Sequence, residues 1–167
     1  MSEVTEQRPG ELVLVTRNTI AEAITTIGAV VGLRVLVMGD DDPEGTPRER
    51  LARQPLAPHD ALVITDHDAP AAYDLLRDAL GGDAGYLAML ASRRRTAEVL
   101  AMLRDEGHKA AALGRLHLPA GLNVGGQSPG EIALSVVAEV VAWSHGRDGR
   151  PMREGPSAPP SVATGDA

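Results

Sequence analysis

The stretch "LVLVTRNTIAEAITTIGAVVGLRVLVMG", residues 12–39, decides the fold. It opens on an apolar run of strand length, 12–16, and continues with Ile20, Ile24, Ile27 and Val31 at helical spacing. It then returns to a second apolar run, "RVLVMG" at 34–39. Neither run alternates polar with apolar residues, so both faces of each strand require cover. A strand–helix–strand unit of this kind is the building block of a parallel sheet between two helical layers.

Outward from this unit the alternation repeats. A polar connection over 40–60 leads to a third strand, "ALVITD" (61–66). A helix follows over 69–80, with Asp68 as its N-cap and Gly81-Gly82 as its stop. "GYLAML" (85–90) is the fourth strand, "TAEVLAMLRDEG" (96–107) a helix closed by Gly107, and "SPGEIALSVVAEVVAW" (128–143) the last helix. The prediction is an α/β chain: one Rossmann-like three-layer domain over 11–145 with a mostly parallel sheet. Residues 1–10 and 146–167, rich in Gly, Pro, Ser and charge, read as mobile tails. In such sheets ligands bind beyond the carboxyl ends of the strands, near the point where strand order reverses. That directs attention to the loops around Thr16, Asp40 and Ala91.

Composition narrows the chemistry. A net charge of −7 gives no general attraction for polyanions, so nucleic acid is not an expected partner and any anion site must be local. The absence of cysteine excludes disulfides, thiolate metal ligands and a cysteine nucleophile. No apolar run reaches the roughly 20 residues that span a bilayer, and the polar start carries no signal-peptide core. The expectation is a cytoplasmic protein without a membrane role.

Candidate ligand contacts fall in the strand-end loops. The first turn, Thr16-Arg17-Asn18, lacks the glycines that let backbone amides approach a pyrophosphate, and Thr19 with Glu22 reads as a capping box. Arg17 and Asn18 remain able to meet an anion. Asp40 stands where an acid would hold ribose hydroxyls, or is simply a solvated turn. Thr65, Asp66 and His67 follow the third strand; one His beside Asp is not by itself a metal set, because ligands come from several elements.

The segment Ser92-Arg93-Arg94-Arg95 is the most informative. If the helix begins at Ser92, three arginines crowd its positive end, each unfavourable by about 0.3–1 kcal/mol, and a bound phosphate would reverse that sign. If it begins at Thr96, they sit in a solvated loop. The loop through Asn123, Gly125 and Gly126 offers backbone for close ligand approach ahead of a helix start marked by Ser128, Pro129 and Glu131. Along that helix Glu131, Ser135 and Glu139 recur as one polar stripe, read as a wet edge.

Together "ALVITDHD", "GYLAMLASRRR" and "PAGLNVGGQSPGEIALSVVAEVVAW" resemble the C-terminal Rossmann-like domain of the XdhC/CoxI family over roughly residues 11 to 144. The last motif is the most specific, matching at Gly121, Leu122, Gly125, Ser128, Pro129, Glu131, Ile132, Ala133, Ser135, Ala138 and Glu139. The resemblance implies an accessory, non-catalytic role in molybdoenzyme maturation. In that role the chain would bind a molybdopterin-type molybdenum cofactor, with an NAD(P)-binding oxidoreductase or a ligand-free scaffold as the other possibilities. It implies a molybdenum hydroxylase client such as xanthine or carbon monoxide dehydrogenase, and it admits a homodimer. By the same resemblance Ser92 to Arg95 form an anion-contacting turn and Asn123 to Gly126 a backbone approach loop. The chain departs from the family where G-x-G-H becomes Thr16 to Thr19, where two glycines become Ala88 and Ala91, and where Asp66 separates Thr65 from His67. The family's N-terminal domain has no counterpart, which implies a stand-alone paralogue or one that works beside a separate partner chain.

Overall fold

The computed structural model describes residues 10–69 and 71–155. Residues 1–9 and 156–167 of the predicted tails, and Pro70 within the second predicted helix, lie outside the described residues. Five parallel strands, β1 (Glu11–Val15), β2 (Arg34–Met38), β3 (Ala61–Ile64), β4 (Tyr86–Met89) and β5 (Leu116–His117), form one sheet in the order β2-β1-β3-β4-β5. Strand order reverses between β1 and β3.

The continuous apolar strands cover both faces as anticipated, because successive side chains point to opposite sides. Val13, Val15, Leu62, Ile64, Leu87 and Met89 face α3 (Ala72–Leu80) and α4 (Arg93–Asp105) through Leu75, Leu76, Val99 and Leu103. Leu12, Leu14, Ala61, Val63, Tyr86 and Ala88 face α1 (Thr19–Val30) and α6 (Pro129–Ser144) through Ile24, Val136, Val137 and Val140. Each buried Val, Leu, Ile or Met among them, fully withdrawn from water, contributes about 1.5–3 kcal/mol. The result is the expected three-layer Rossmann-like arrangement.

Local chemistry departs from expectation at several points. The connection 40–60 is not merely polar. It contains α2 (Pro47–Arg53), opened by a capping box of Thr46 and Glu49 with Pro47 at its first position. A short helix, α5 (Ala110–Leu113), precedes β5, which at two residues is too brief to leave a periodic trace. α1 is capped by Asn18, whose Oδ1 accepts from Ala21 N at 2.8 Å, so Thr19 is the first helical residue and not the cap. α3 starts from Ala71 in the left-handed region, φ 61°, without a side-chain cap, and Asp68 instead donates its N–H to Asp66 Oδ1. Residues 146–155 include a 3-10 turn at Met152–Glu154. No helix among the described residues is long and apolar enough to cross a membrane.

Candidate functional site

A cleft of about 1010 Å³ opens over the carboxyl ends of the strands, on the β3–β4 side of the reversal point. Its floor is sewn together by Asn18 and Thr65. Asn18 Nδ2 donates to Thr65 O at 3.2 Å, while the buried Thr65 hydroxyl sits 2.8 Å from Val15 O and 2.9 Å from Thr16 O. These two predicted site residues thus fix the ends of β1 and β3 against each other and line the cleft as well.

His67 lines it too. Its Nδ1 lies 3.2 Å from Leu90 O, which can only accept, so Nδ1 donates there, and Nε2 lies 3.4 Å from Asp68 Oδ2. Asp66, His67 and Asp68 offer one ligand atom each within 4.8 Å of one another, all from one tripeptide.

On the opposite rim α4 begins at Arg93, with Ser92 as N-cap accepting from Arg95 N at 3.2 Å. Of the two readings of the arginine run, the structure has the one that places all three cations in the first helical turn. They are not equivalent. Arg95 pairs with Glu98 at 3.1 Å and Arg94 reaches the same carboxylate at 3.8 Å, and neither lines the cleft. Arg93 does line it, and among the described residues it has no ion-pair partner. The N–H groups of a helix's first turn have no intrahelical acceptor and share the macrodipole's positive end. Arg93 therefore stands at a spot where its charge is compensated only from outside.

The second glycine-rich rim behaves differently. Gly125 has φ 78° and open space around it, whereas a Cβ on Gly126 would meet Glu131 Cβ at 2.4 Å. Glu131 Oε2 accepts from Gln127 N at 3.2 Å, Ser128 N at 3.0 Å and the Ser128 hydroxyl at 2.7 Å. The Ser128 hydroxyl first, then the two amides, hold the Glu131 carboxyl below the usual carboxylate range. The start of α6 is thus already occupied by the chain's own anion; the start of α4 is not. Asn123, Gly125 and Gly126 line the cleft, with Pro119, Gly121 and Ile132 beside them.

Three predicted contacts lie elsewhere. Asp40 is exposed and outside the cleft lining. Arg17 turns away to Asp42, forming an ion pair over the end of β2. Thr16 adopts φ 81°, a left-handed conformation that is rare for a β-branched residue, and its buried hydroxyl has no partner.

Sequence reading missed two groupings. Asp42, two residues beyond the acid it named, is the one engaged at the end of β2. Glu139, read as part of a wet edge, is instead largely buried and collects Tyr86 OH at 2.6 Å, Gly121 N at 2.7 Å and His117 Nδ1 at 3.0 Å. Tyr86 stacks on His117 with ring centroids 4.3 Å apart. Only the Glu131 end of the stripe is wet; Ser135 is buried against Gly121. The signal available in the sequence was the co-occurrence of Gly121 and Glu139 in one specific motif.

Comparison with known proteins agrees with this architecture. The family model described as the XdhC Rossmann domain matches residues 12–140. The chain is 36% identical over 98 residues to the uncharacterized protein YqeB of Escherichia coli (strain K12), covering 59% of this chain and 17% of that one. It is 30% identical over 95 residues to a probable xanthine dehydrogenase subunit from Bacillus subtilis (strain 168), covering 57% of this chain and 27% of that one. A crystal structure titled as a xanthine dehydrogenase from Bacillus halodurans superposes with a TM-score of 0.65 at 21% identity, over 86% of this chain and 46% of that one, a likeness of fold. The chain spans less than a third of the length of the curated relatives it matches. Built on a parallel sheet whose strand-end cleft carries the Gly121–Glu139 motif, and matched over most of its length, this chain belongs to the XdhC Rossmann-domain family.

Proposed function

We propose that this chain is an accessory module for molybdenum hydroxylase maturation that holds the phosphate-bearing end of a molybdopterin-type cofactor in the strand-end cleft. The observation that carries the reading is Arg93: a cation in the first turn of α4, lining the cleft, with no carboxylate partner among the described residues. Free helix N–H groups, the macrodipole and a forked guanidinium together favour a phosphate oxygen over any neutral group. The donor set fits such a group. Gly125 leaves its backbone open to approach, and Glu131 already satisfies the competing helix start. The bound group would bring the redox and sulfur chemistry of the client enzyme. This chain's residues would bind and orient it.

The client in this reading is a molybdenum hydroxylase of the xanthine or carbon monoxide dehydrogenase kind, consistent with the names carried by its relatives. An NAD(P)-dependent oxidoreductase is the competing reading. Against it, the first turn has Thr16-Arg17-Asn18 in place of the glycines that admit a pyrophosphate.

Fluorescence titration of the purified chain with molybdopterin tests this. Saturable binding is expected, weakened about tenfold, or about 1.4 kcal/mol, in Arg93→Gln. Equal affinity in the variant, or reduction of NADP+ by the wild type, would refute the assignment.

A further inference from the structure

In doubly wound sheets a dinucleotide lies across the strand ends with one nucleoside over the end of the second strand, where an acidic side chain takes the ribose hydroxyls. Here that place is filled from within the chain. Arg17 leaves the first turn and lies along the end of β2: Nη1 donates to Val37 O at 3.3 Å and Nη2 bonds to Asp42 Oδ1. A Cβ added to Gly39 would stand 3.2 Å from Arg17 Nε, so the guanidinium lies directly against the backbone at this point.

Asp42 is held from its other side as well. Its Oδ2 accepts from Arg50 Nη1 at 2.7 Å and from Gly39 N at 3.1 Å, and its side chain is 6% exposed. Both Asp42 oxygens are thus committed to two guanidiniums and an amide, which holds Arg17 in place over the end of β2. The shape of the cleft follows from this. Its lining comes from the start of α1, the ends of β3 and β4, the start of α4 at Ser92 and Arg93, residues 119–127 and α6, and includes nothing from 38–42.

We infer that the Arg17–Asp42–Arg50 lock makes this site selective for a phosphorylated ligand that carries no nucleoside: the phosphate head is accepted, and the nucleoside half of a dinucleotide is shut out. Arg17 is then a specificity-determining residue that never touches the ligand it selects. The inference rests on the phosphate reading of the cleft given above. It adds the chemical class of ligand that the cleft admits.

Titration calorimetry of the full chain with inorganic pyrophosphate and with ADP-ribose, in which a pyrophosphate bridge joins adenosine to a second ribose, tests it. The proteins are the wild type, Arg17→Ser, and Asp42→Asn, which frees Arg17 from the other end; thermal melts establish that each is folded. On the wild type, ADP-ribose is expected to bind no more than about threefold tighter than pyrophosphate. Arg17→Ser, and Asp42→Asn in the same direction, should gain about tenfold or more for ADP-ribose while pyrophosphate affinity stays within about threefold. Wild-type protein that already prefers ADP-ribose by about tenfold, or an Arg17→Ser variant that gains nothing for it, overturns the lock. Wild-type protein that fails to bind pyrophosphate would count against the phosphate reading alone. The ADP-ribose comparison between wild type and Arg17→Ser would still decide the lock.

Discussion

Replacing Glu139 by alanine removes the acceptor on which three elements converge. Tyr86 OH, at the start of β4, then points into protein with nothing to receive it, and the ring around it is 0% exposed. Gly121 N loses a bond that ties the cleft's rim to α6, and His117 Nδ1 loses its carboxylate neighbour. An unsatisfied buried donor costs about 1–3 kcal/mol. Two such donors, with part of the loss recovered by relaxation and entering water, give an expected destabilisation of about 3–4 kcal/mol. Glu139→Gln keeps the volume and one acceptor oxygen but not the charge, and should cost about 1–2 kcal/mol. Urea unfolding monitored at Trp143 is a suitable assay, since it is the only tryptophan and packs on Tyr86 at 5.6 Å. Amide exchange at Gly121 should accelerate in both variants.

The pH dependence has a fixed sign. Burial alone would raise the Glu139 carboxyl, but hydrogen bonds from His117, Tyr86 and Gly121 outweigh it and hold the group below its ordinary value of 4.5. Burial first, then the Glu139 charge and hydrogen bond, push the Tyr86 phenol far up, so it remains a donor throughout. A depressed carboxyl contributes stability that is present above its unfolded value and is lost as pH falls through the folded one. The gap between wild type and Glu139→Gln should therefore be constant above about pH 5 and close below 4.5. A loss under about 1 kcal/mol in Glu139→Ala, or unchanged exchange at Gly121, would refute the view of Glu139 as the anchor of the rim.

Two further substitutions probe the strand-end turns. Thr16→Gly should stabilise the chain by about 0.5–1 kcal/mol in urea unfolding: relief of left-handed strain and of an orphaned hydroxyl exceeds the added chain entropy, and a loss would contradict the strain argument. Glu98→Gln removes the shared partner of Arg94 and Arg95, should cost no more than about 0.5 kcal/mol because both pairs are solvent-facing, and should tighten pyrophosphate binding at the start of α4. Weaker binding in that variant would place the anion elsewhere.

Much of the fold was legible because its signals are local. Apolar runs at 12–16, 34–39, 61–66 and 85–90 are uncompensated by polar alternation, and that alone demands cover on both sheet faces. The elements that escaped notice were short or were marked by caps, not by periodicity. α2 was announced by Thr46, Pro47 and Glu49 inside a polar stretch, and β5 has only two residues. The two capping errors differ in kind: α3 starts from Ala71 with no side-chain cap at all, so Asp68 lost to no rival, whereas at Thr19 neighbouring side chains competed. Several polar side chains near a helix start are chemically competent, and the winner is the one whose backbone the preceding strand leaves in extended geometry, as at Asn18 with φ −155°.

The sequence by itself determined the layered parallel sheet, the strand-end location of the cleft and the helix start at Ser128, all consequences of spacing along one chain. Only the tertiary structure decided which charges are spent and which are free. Arg17, Arg94 and Arg95 are matched by Asp42 and Glu98, while Arg93 is left facing the cleft. Glu131 and Glu139, members of one polar stripe on the same helix, end in water and in the interior respectively. The physical reason is that an ionic or hydrogen-bonded partner is fixed by distance in space, over separations such as that between Tyr86 and Glu139, and falls off within a few ångströms. Periodicity fixes which face a side chain occupies, and packing alone fixes what waits there.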